Sequence, residues 1–317
     1  MLSGNALSRI RYALGNKGAA DEFIAFLQLQ GVLPGGNVYW ASSTRGSDTT
    51  KGGTASDDPR ATLESALGRC TALNGDSVIL MPYHNEGMGN DQWGVGVAGV
   101  AVIGLGRGGQ RPRLDYDHAG ASMDITANDV LLQNLTFLPS VTDVTIGIDV
   151  NAAALRAQII DCEALVGEDG AGVDDFALWI DVKAGCDGLK VVRPRLRQHA
   201  SGAGYLAGIR LTGASDDITI EDPDMVMAGV GLVAPINGIT TLSTNVDIVR
   251  GRLTTDAEPG IEMLTGTTGR IIQTVIFGDL GTIDEATVAD GMAHFDVKYV
   301  EVGNEAGTLV KTESVDD

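Results

Sequence analysis

Six short runs between residues 130 and 277 superimpose position by position, and this repetition restricts the fold more than any other feature. They are VLLQNLTF from Val130, AQIIDCEA from Ala157, LKVVRPRL from Leu189, ITIEDPDM from Ile218, VDIVRGRL from Val246 and RIIQTVIF from Arg270. Their starts lie 27, 32, 29, 28 and 24 residues apart. The third position is always aliphatic (Leu132, Ile159, Val191, Ile220, Ile248, Ile272) and the eighth always apolar (Phe137, Ala164, Leu196, Met225, Leu253, Phe277). A second series follows the first five runs: IGIDV from Ile146, LWIDV from Leu178, AGIRL from Ala207, VGLV from Val230 and GIEM from Gly260. Several short strands recurring in units of about thirty residues, with variable turns, are the signature of a β-solenoid. Apolar and polar residues alternate, so one face of each strand points into the coil and the other away from it. The expected fold is all-β: a right-handed parallel β-helix, its hand following from the crossover rule for parallel strands.

The alignment also places charges. Its fifth position reads Asn134, Asp161, Arg193, Asp222, Arg250, Thr274, and its seventh Thr136, Glu163, Arg195, Asp224, Arg252, Ile276. Equivalent residues of successive coils lie about 4.8 Å apart. Alternating signs over the middle four coils therefore predict two structural ion ladders, Asp161–Arg193–Asp222–Arg250 and Glu163–Arg195–Asp224–Arg252.

Before residue 75 the pattern is different. Apolar Leu2, Ala6, Ile10 and Leu14, then Phe23, Ile24, Phe26 and Leu27, follow helical spacing, broken at Gly15 to Gly18. A boundary falls at Leu33 to Gly36, and a further helix is signalled from Asp58 to Leu67, with Asp58 as N-cap and Pro59 in the first helical position. The four expected segments are a helical attachment arm (1–36), a lead-in strand, loop and capping helix (37–74), the β-helix (75–290), and closing strands with an acidic tail (291–317).

Val38-Tyr39-Trp40, the Ser/Thr/Gly/Asp loop, Asp58-Pro59, the helix to Leu67 and then Gly75 to Leu80 resemble the N-terminal lead-in of the pectate-lyase-like β-helix proteins. There a strand and polar loop precede a helix that caps the open end of the solenoid. Asp129 to Phe137 resembles a coil of the same superfamily, and the resemblance spans roughly residues 37 to 290. That scaffold serves lyases, hydrolases and phage virion proteins, so the resemblance bears on fold and leaves function open. Ala6 to Ile24 resembles leader segments of tailed-phage structural proteins. A β-helix behind such a segment is similar to phage tailspikes and head decoration proteins. The resemblance implies a homotrimer, phage capsid or tail proteins as partners, and a place in the virion after assembly in the host cytoplasm.

Charge and composition narrow the function classes. The chain has 317 residues, 44% hydrophobic, with a net charge of −20. This excludes nucleic acid as a partner for the main body, because phosphate binding needs clustered Lys and Arg. The first twenty residues are the exception, with Arg9, Arg11 and Lys17 and no acid. With Tyr12 these form the candidate attachment cluster, suited to an acidic docking surface. No apolar run is long enough for a membrane-spanning helix, and the N-terminus does not read as a signal peptide. Cys70, Cys162 and Cys186 are far apart with no CxxC pair, which points to a reducing compartment and away from a zinc site.

Sites with chemistry are few. Leu178 to Val182 resembles the WIDH motif of pectate lyases, but Val182 stands where that motif has its His. Asp149 occupies the place of Asp181 one coil earlier, at a separation compatible with a glycan-cleaving carboxylate pair. The next coil puts Arg210 there, so the same column also reads as a continuing charge ladder. Glu168, Asp169, Asp174 and Asp175 lie in or beside the turn from Gly167 to Gly172 and match no calcium loop. Gly104 to Gly109 lacks the strand–loop–helix context and GK[ST] ending of a phosphate loop. His84, His118, His199 and His294 have no metal spacing. No metal or cofactor is expected. A structural virion role, most simply capsid decoration, is expected ahead of the alternative, a tailspike or adhesin that binds or cleaves bacterial polysaccharide.

Overall fold

The computed structural model describes residues 35–89, 92–152, 154–166, 174–198, 206–227, 232–238, 241–255, 260–278, 292–302 and 309–315. Arg9, Arg11, Tyr12 and Lys17, and with them nearly all of the expected arm, lie outside the described residues, as do Glu168, Asp169, His199 and Val230. The chain divides into two compact units: Met1–Glu86, Val97–Arg113 and Val130–Leu135 in the first, and Gly87–Gly96, Leu114–Asp129 and Thr136–Asp317 in the second.

The first unit holds four parallel strands in the order Val38–Ala41, Ser77–Leu80, Ala101–Gly104 and Leu131–Gln133. A short helix, Leu63–Leu67, buries Leu63, Ala66 and Leu67 against the first two strands. Its N-cap is Thr62, whose Oγ1 accepts from Ser65 N at 3.2 Å, and not the expected Asp58. The reason is a competing pairing. Arg60 bridges to Ala41, donating to Trp40 O and accepting from Ser42 N, both at 2.8 Å. Arg60 is thereby held at the strand edge, and the helix starts after it. Asp58 instead accepts from Gly52 N at 2.8 Å.

The polar loop between strand and helix binds itself. Asp48 accepts from Ala61 N at 2.7 Å and Thr62 Oγ1 at 2.8 Å. Arg60 reaches Ser65 Oγ at 2.8 Å and Lys51 O at 2.5 Å, and Arg45 reaches Ser56 O at 3.1 Å. Every one of these groups satisfies a backbone or capping position that the loop would otherwise leave open.

The second unit is a right-handed parallel β-helix with three sheets. Its first sheet runs Gln158–Ile160, Lys190–Val192, Thr219–Glu221, Val246–Val249, Gly269–Ile272 and Met292–Phe295. The second runs Thr136–Pro139, Glu163–Val166, Arg195–Gln198, Asp224–Met227, Arg252–Thr255, Val275–Gly278 and Val297–Val302, and ends on an antiparallel partner, Leu309–Val315. The third holds Gln92–Val95, Ser122–Ile125, Val144–Val150, Phe176–Val182, Ala207–Leu211, Ile236–Gly238 and Ile261–Met263. Ile159, Val191, Ile220 and Ile248 stack in register along the interior of the first sheet and are fully buried. Tyr116, Phe137 and Phe176 pack inside, the Tyr116 and Phe176 rings edge to face at 4.9 Å.

The corner between first and second sheets is made by one residue per coil in the left-handed conformation: Asp161 (φ 54°), Arg193 (50°), Asp222 (50°), Arg250 (55°), Gln273 (49°) and Asp296 (52°). Left-handed backbone costs a non-glycine residue about 1–2 kcal/mol. The N–H of each of the first five joins the next coil, donating to Val192 O, Glu221 O, Val249 O, Ile272 O and Phe295 O at 2.7–2.9 Å. The hydrogen-bond ladder therefore continues around the bend. This column is the fifth position of the sequence repeat.

Two registers differ from the sequence alignment. Ile271, not Ile272, lies opposite Ile248, and Ile276, not Phe277, opposite Leu253. The left-handed residue of that coil is accordingly Gln273, and Thr274 is the buried residue after it. Gly269 permits the shift: it sits at φ +149° with its missing Cβ directed at Val246 O, 2.0 Å from where the carbon would be, a place only glycine fills. In the third sheet the partner of Ile209 is Ile236, so the strand expected from Val230 is Ile236–Gly238.

The inward and outward columns should respond differently to truncation. Ile220→Ala, in the filled interior, is expected to lower stability by about 2–5 kcal/mol. Ile160→Ala, on the outward face of the same sheet, should cost well under half as much. Equilibrium denaturation of the two variants measures the contrast, and equal losses would contradict the assigned faces.

Candidate functional site

The outward face of the third sheet collects the polar groups most suited to chemistry. The register places Asp124, Asp149, Asp181, Arg210, Asn237 and Glu262 in one column across six consecutive strands. Asp149 and Asp181 are thus neighbours across one strand pair, as their spacing suggested. Arg210 follows in the same line.

What surrounds Asp181 decides its role. Its Oδ1 accepts from Thr212 Oγ1 and lies 3.4 Å from Arg210 Nε, and its Oδ2 is bonded by Lys183 Nζ. Arg210 Nε in turn donates to Thr212 Oγ1 at 3.0 Å. The Asp181 side chain has no solvent exposure. Burial pushes its carboxyl up, but the bonds from Lys183, Thr212 and Arg210 outweigh this and hold it below the usual carboxylate range. Asp149 is different. Its side chain is 16% exposed, and its Oδ1 makes no hydrogen bond and lies 3.6 Å from Lys183 Nζ. Burial lifts its carboxyl above the ordinary value, against the pull of Lys183 and with the help of Asp124 and Asp181. Trp179, two residues before Asp181 on the same side of the strand, is buried, with its indole N–H unpartnered.

Two carboxylates whose environments push their pKa values apart are the arrangement of an acid and its partner in glycoside cleavage. Here the depressed member is sealed. Both of its oxygens are occupied and neither reaches solvent, so Asp181 cannot meet a sugar ring without losing its partners. The column is first an ion cluster tying three coils together.

The predicted ladder residues are also placed. Asp161 and Arg193 form a bidentate pair at 2.6 and 2.8 Å. Arg250 Nε bonds Asp222 Oδ1 at 2.8 Å, and Arg250 also bonds Glu221. In the second column Glu163, Arg195, Asp224 and Arg252 stand in register, but their bonds run elsewhere. Asp224 takes Arg197, Thr136 Oγ1 donates to Glu163 Oε1 at 2.8 Å, and Arg252 lies 5.5 Å over the Phe277 ring. Side chains two residues along a strand share its face, which explains why Arg197 competes with the directly opposed Arg195.

The remaining candidates are structural. Asp175 Oδ1 accepts from Asp143 N at 2.8 Å, and Asp174 is buried. Buried His84 accepts from Ser43 N at Nδ1 (3.0 Å) and donates from Nε2 to Glu86 (2.8 Å), which itself caps the helix by accepting from Leu63 N. His118 Nδ1 accepts from Gly120 N within its own turn. In the glycine-rich run, the Gly104 and Gly106 carbonyls accept from Asn134 Nδ2, and no helix of phosphate-binding length follows. Among the described residues no group of three or more His, Cys, Asp or Glu is placed to hold a metal ion. Burial pushes the Cys70 thiol up to about 12 and the Cys186 thiol up to about 11, which leaves neither as a nucleophile at neutral pH. Sequence reasoning missed Lys183 and Thr212. Their signal was the i+2 spacing from Asp181 and Arg210 on one strand face.

Neither family profiles nor curated protein sequences match this chain. Solved structures do. A rhamnogalacturonan lyase is similar at 13% identity over 88% of this chain and 79% of that one, with a TM-score of 0.51. The pectate lyase Pel9A is similar at 12% identity over 88% and 80%, TM-score 0.49, and PfbA, a surface adhesin of Streptococcus pneumoniae, at 10% over 75% and 72%, TM-score 0.40. The likeness is one of fold: the right-handed parallel β-helix expected from the repeats.

The two carboxylates should titrate in opposite senses. Asp181, held low when folded, stabilises the protein above the unfolded carboxylate value of about 3.9, and that contribution is lost as pH falls through its lower folded value. Asp149, held high, favours the folded state only while protonated and weakens it as pH rises past about 3.9. At neutral pH Asp181→Asn should therefore destabilise, by about 2–3 kcal/mol, since Lys183 and Arg210 lose a buried partner but keep some solvent. Asp149→Asn should be neutral or stabilising. Thermal melts of both variants between pH 3 and 7 check the signs. Arg193→Asp, which sets like charges beside Asp161, should cost about 1 kcal/mol at low salt and less at high salt; a salt-independent melt would remove the ladder from the account.

Proposed function

We propose that this chain is a structural virion protein of a tailed phage, a capsid decoration or cement protein acting as a homotrimer and docked by its N-terminal arm. The observation that carries the non-catalytic part is the sealed Asp181: the best carboxylate pair in the sequence has one member without solvent access and with both oxygens bonded. The phage assignment rests on the resemblance of residues 6–24 to phage leader segments. It rests also on the contrast between the basic cluster Arg9, Arg11 and Lys17 and a chain of net charge −20, which suits attachment of one end to an acidic surface.

A second reading has its own observation. Asp149 is partly exposed and held high by burial, as a general acid toward a glycan would be. In that reading the chain is a tailspike or adhesin that binds or cleaves bacterial surface polysaccharide.

Electron microscopy of the phage particle, with the chain labelled, separates the two. Decoration predicts density on the capsid, loss of attachment on deleting residues 1–30, and host polysaccharide left intact. Density on the tail, with polysaccharide shortened by the wild type and not by Asp149→Asn, would replace the first reading by the second.

A further inference from the structure

The outward face of the first sheet in the second unit carries an apolar stripe that nothing in the proposed function uses. Ile160, Val192, Val249 and Ile272 stand in one line across successive coils, interrupted only by Glu221, and end at Phe295. Three of the pairings are the same ones that stack the interior, so the stripe is the opposite face of the Ile159–Val191–Ile220–Ile248 column. The four aliphatic residues are half-buried, and Phe295 is 49% exposed. Four β-branched side chains and a phenylalanine along one outward line, broken once by Glu221, give this face an apolar centre of the kind that marks a contact surface, with Phe295 its exposed member.

The corner flank of the stripe is charged and internally paired, Asp161 with Arg193 and Asp222 with Arg250. The other flank is polar, running Gln158, Lys190, Thr219, Asp247, Arg270 and Ala293, with Asp247 and Arg270 paired at 3.0 Å through Nε. An apolar centre with a polar rim is the anatomy of a protein interface. The rim also says which partner. The strand-and-corner segments 158–161, 190–193, 219–222, 247–250, 270–273 and 293–296 hold four basic and five acidic residues, a net of −1, where the whole chain holds 22 basic and 42 acidic, a net of −20. Two copies of so acidic a chain repel each other over most approaches. On this face they do not, and its alternating signs let acid meet base when a second copy is laid alongside with a small shift or a reversal.

We infer that this face is a self-association surface, where a second copy of the chain covers Ile160, Val192, Val249, Ile272 and Phe295. The inference stands independently of the virion reading. Six coils at about 4.8 Å and four-residue segments about 13 Å long give a face of roughly 380 Å². That is below the ~800 Å² per partner of a standard stable interface, so association through this face alone is concentration-dependent.

Sedimentation velocity on the full chain across a range of concentrations tests this. The wild type should gain mass with concentration, and the double variant Val192→Lys with Ile272→Lys should stay at the mass of a single chain while keeping the wild-type melt. Leu165→Lys, on the outward face of the second sheet, should associate like the wild type. If the double variant melts early, Val249→Ser replaces it, with weakened association expected. A wild type that stays monomeric throughout overturns the inference, as do variants that associate undiminished, a Leu165→Lys variant that loses association equally, or a wild-type monomer that gains mass only with capsid subunits present.

Discussion

A single left-handed residue at each bend between the first and second sheets sets the phase of the whole solenoid. It turns the chain sharply, and from Asp161 to Gln273 its N–H stays in the ladder to the next coil. Because side chains alternate, a slip of one residue would put every interior aliphatic residue outside. The coil at Arg270 shows which constraint prevails. Matching aliphatic positions alone puts Ile272 beside Ile248. The bend is at Gln273, so Ile271 takes that place and Gly269 absorbs the close approach.

The same stacking governs the electrostatics. Identical positions recur about 4.8 Å apart, so any charge on an outward column has a charge or a hydrogen-bonding group from the next coil within reach. Acid and base alternate at the bend. On the third sheet three aspartates stand in succession, and Lys183 lies between the last two, with Arg210 and Thr212 from the following coil. A carboxylate pair that looks catalytic in spacing becomes cohesive in space, since the donors that depress Asp181 also close it to solvent.

Legibility varied with the range of the interaction. The interior columns, the bend column and the Asp149–Asp181 neighbourhood depend on one repeated spacing and were readable. The capping of the helix by Thr62 was not, because Arg60 is claimed by a strand that ends nineteen residues earlier, at Ala41. Nor was the partner of Asp224, since Arg195 and Arg252 stand opposite it in register and the bond nevertheless forms to Arg197, two residues along the neighbouring strand on the same face.

Periodicity by itself determined that this chain is a parallel β-helix with aliphatic columns inside and paired charges outside, because a repeat of about thirty residues that cannot bury its apolar face alone must stack. Only the tertiary structure decided where the charges go. Asp181 is sealed, Asp149 is left partly open, and a line of Ile, Val and Phe remains on the outside of the first sheet. Those outcomes follow from burial and from contacts between coils, which a sequence pattern orders but does not measure.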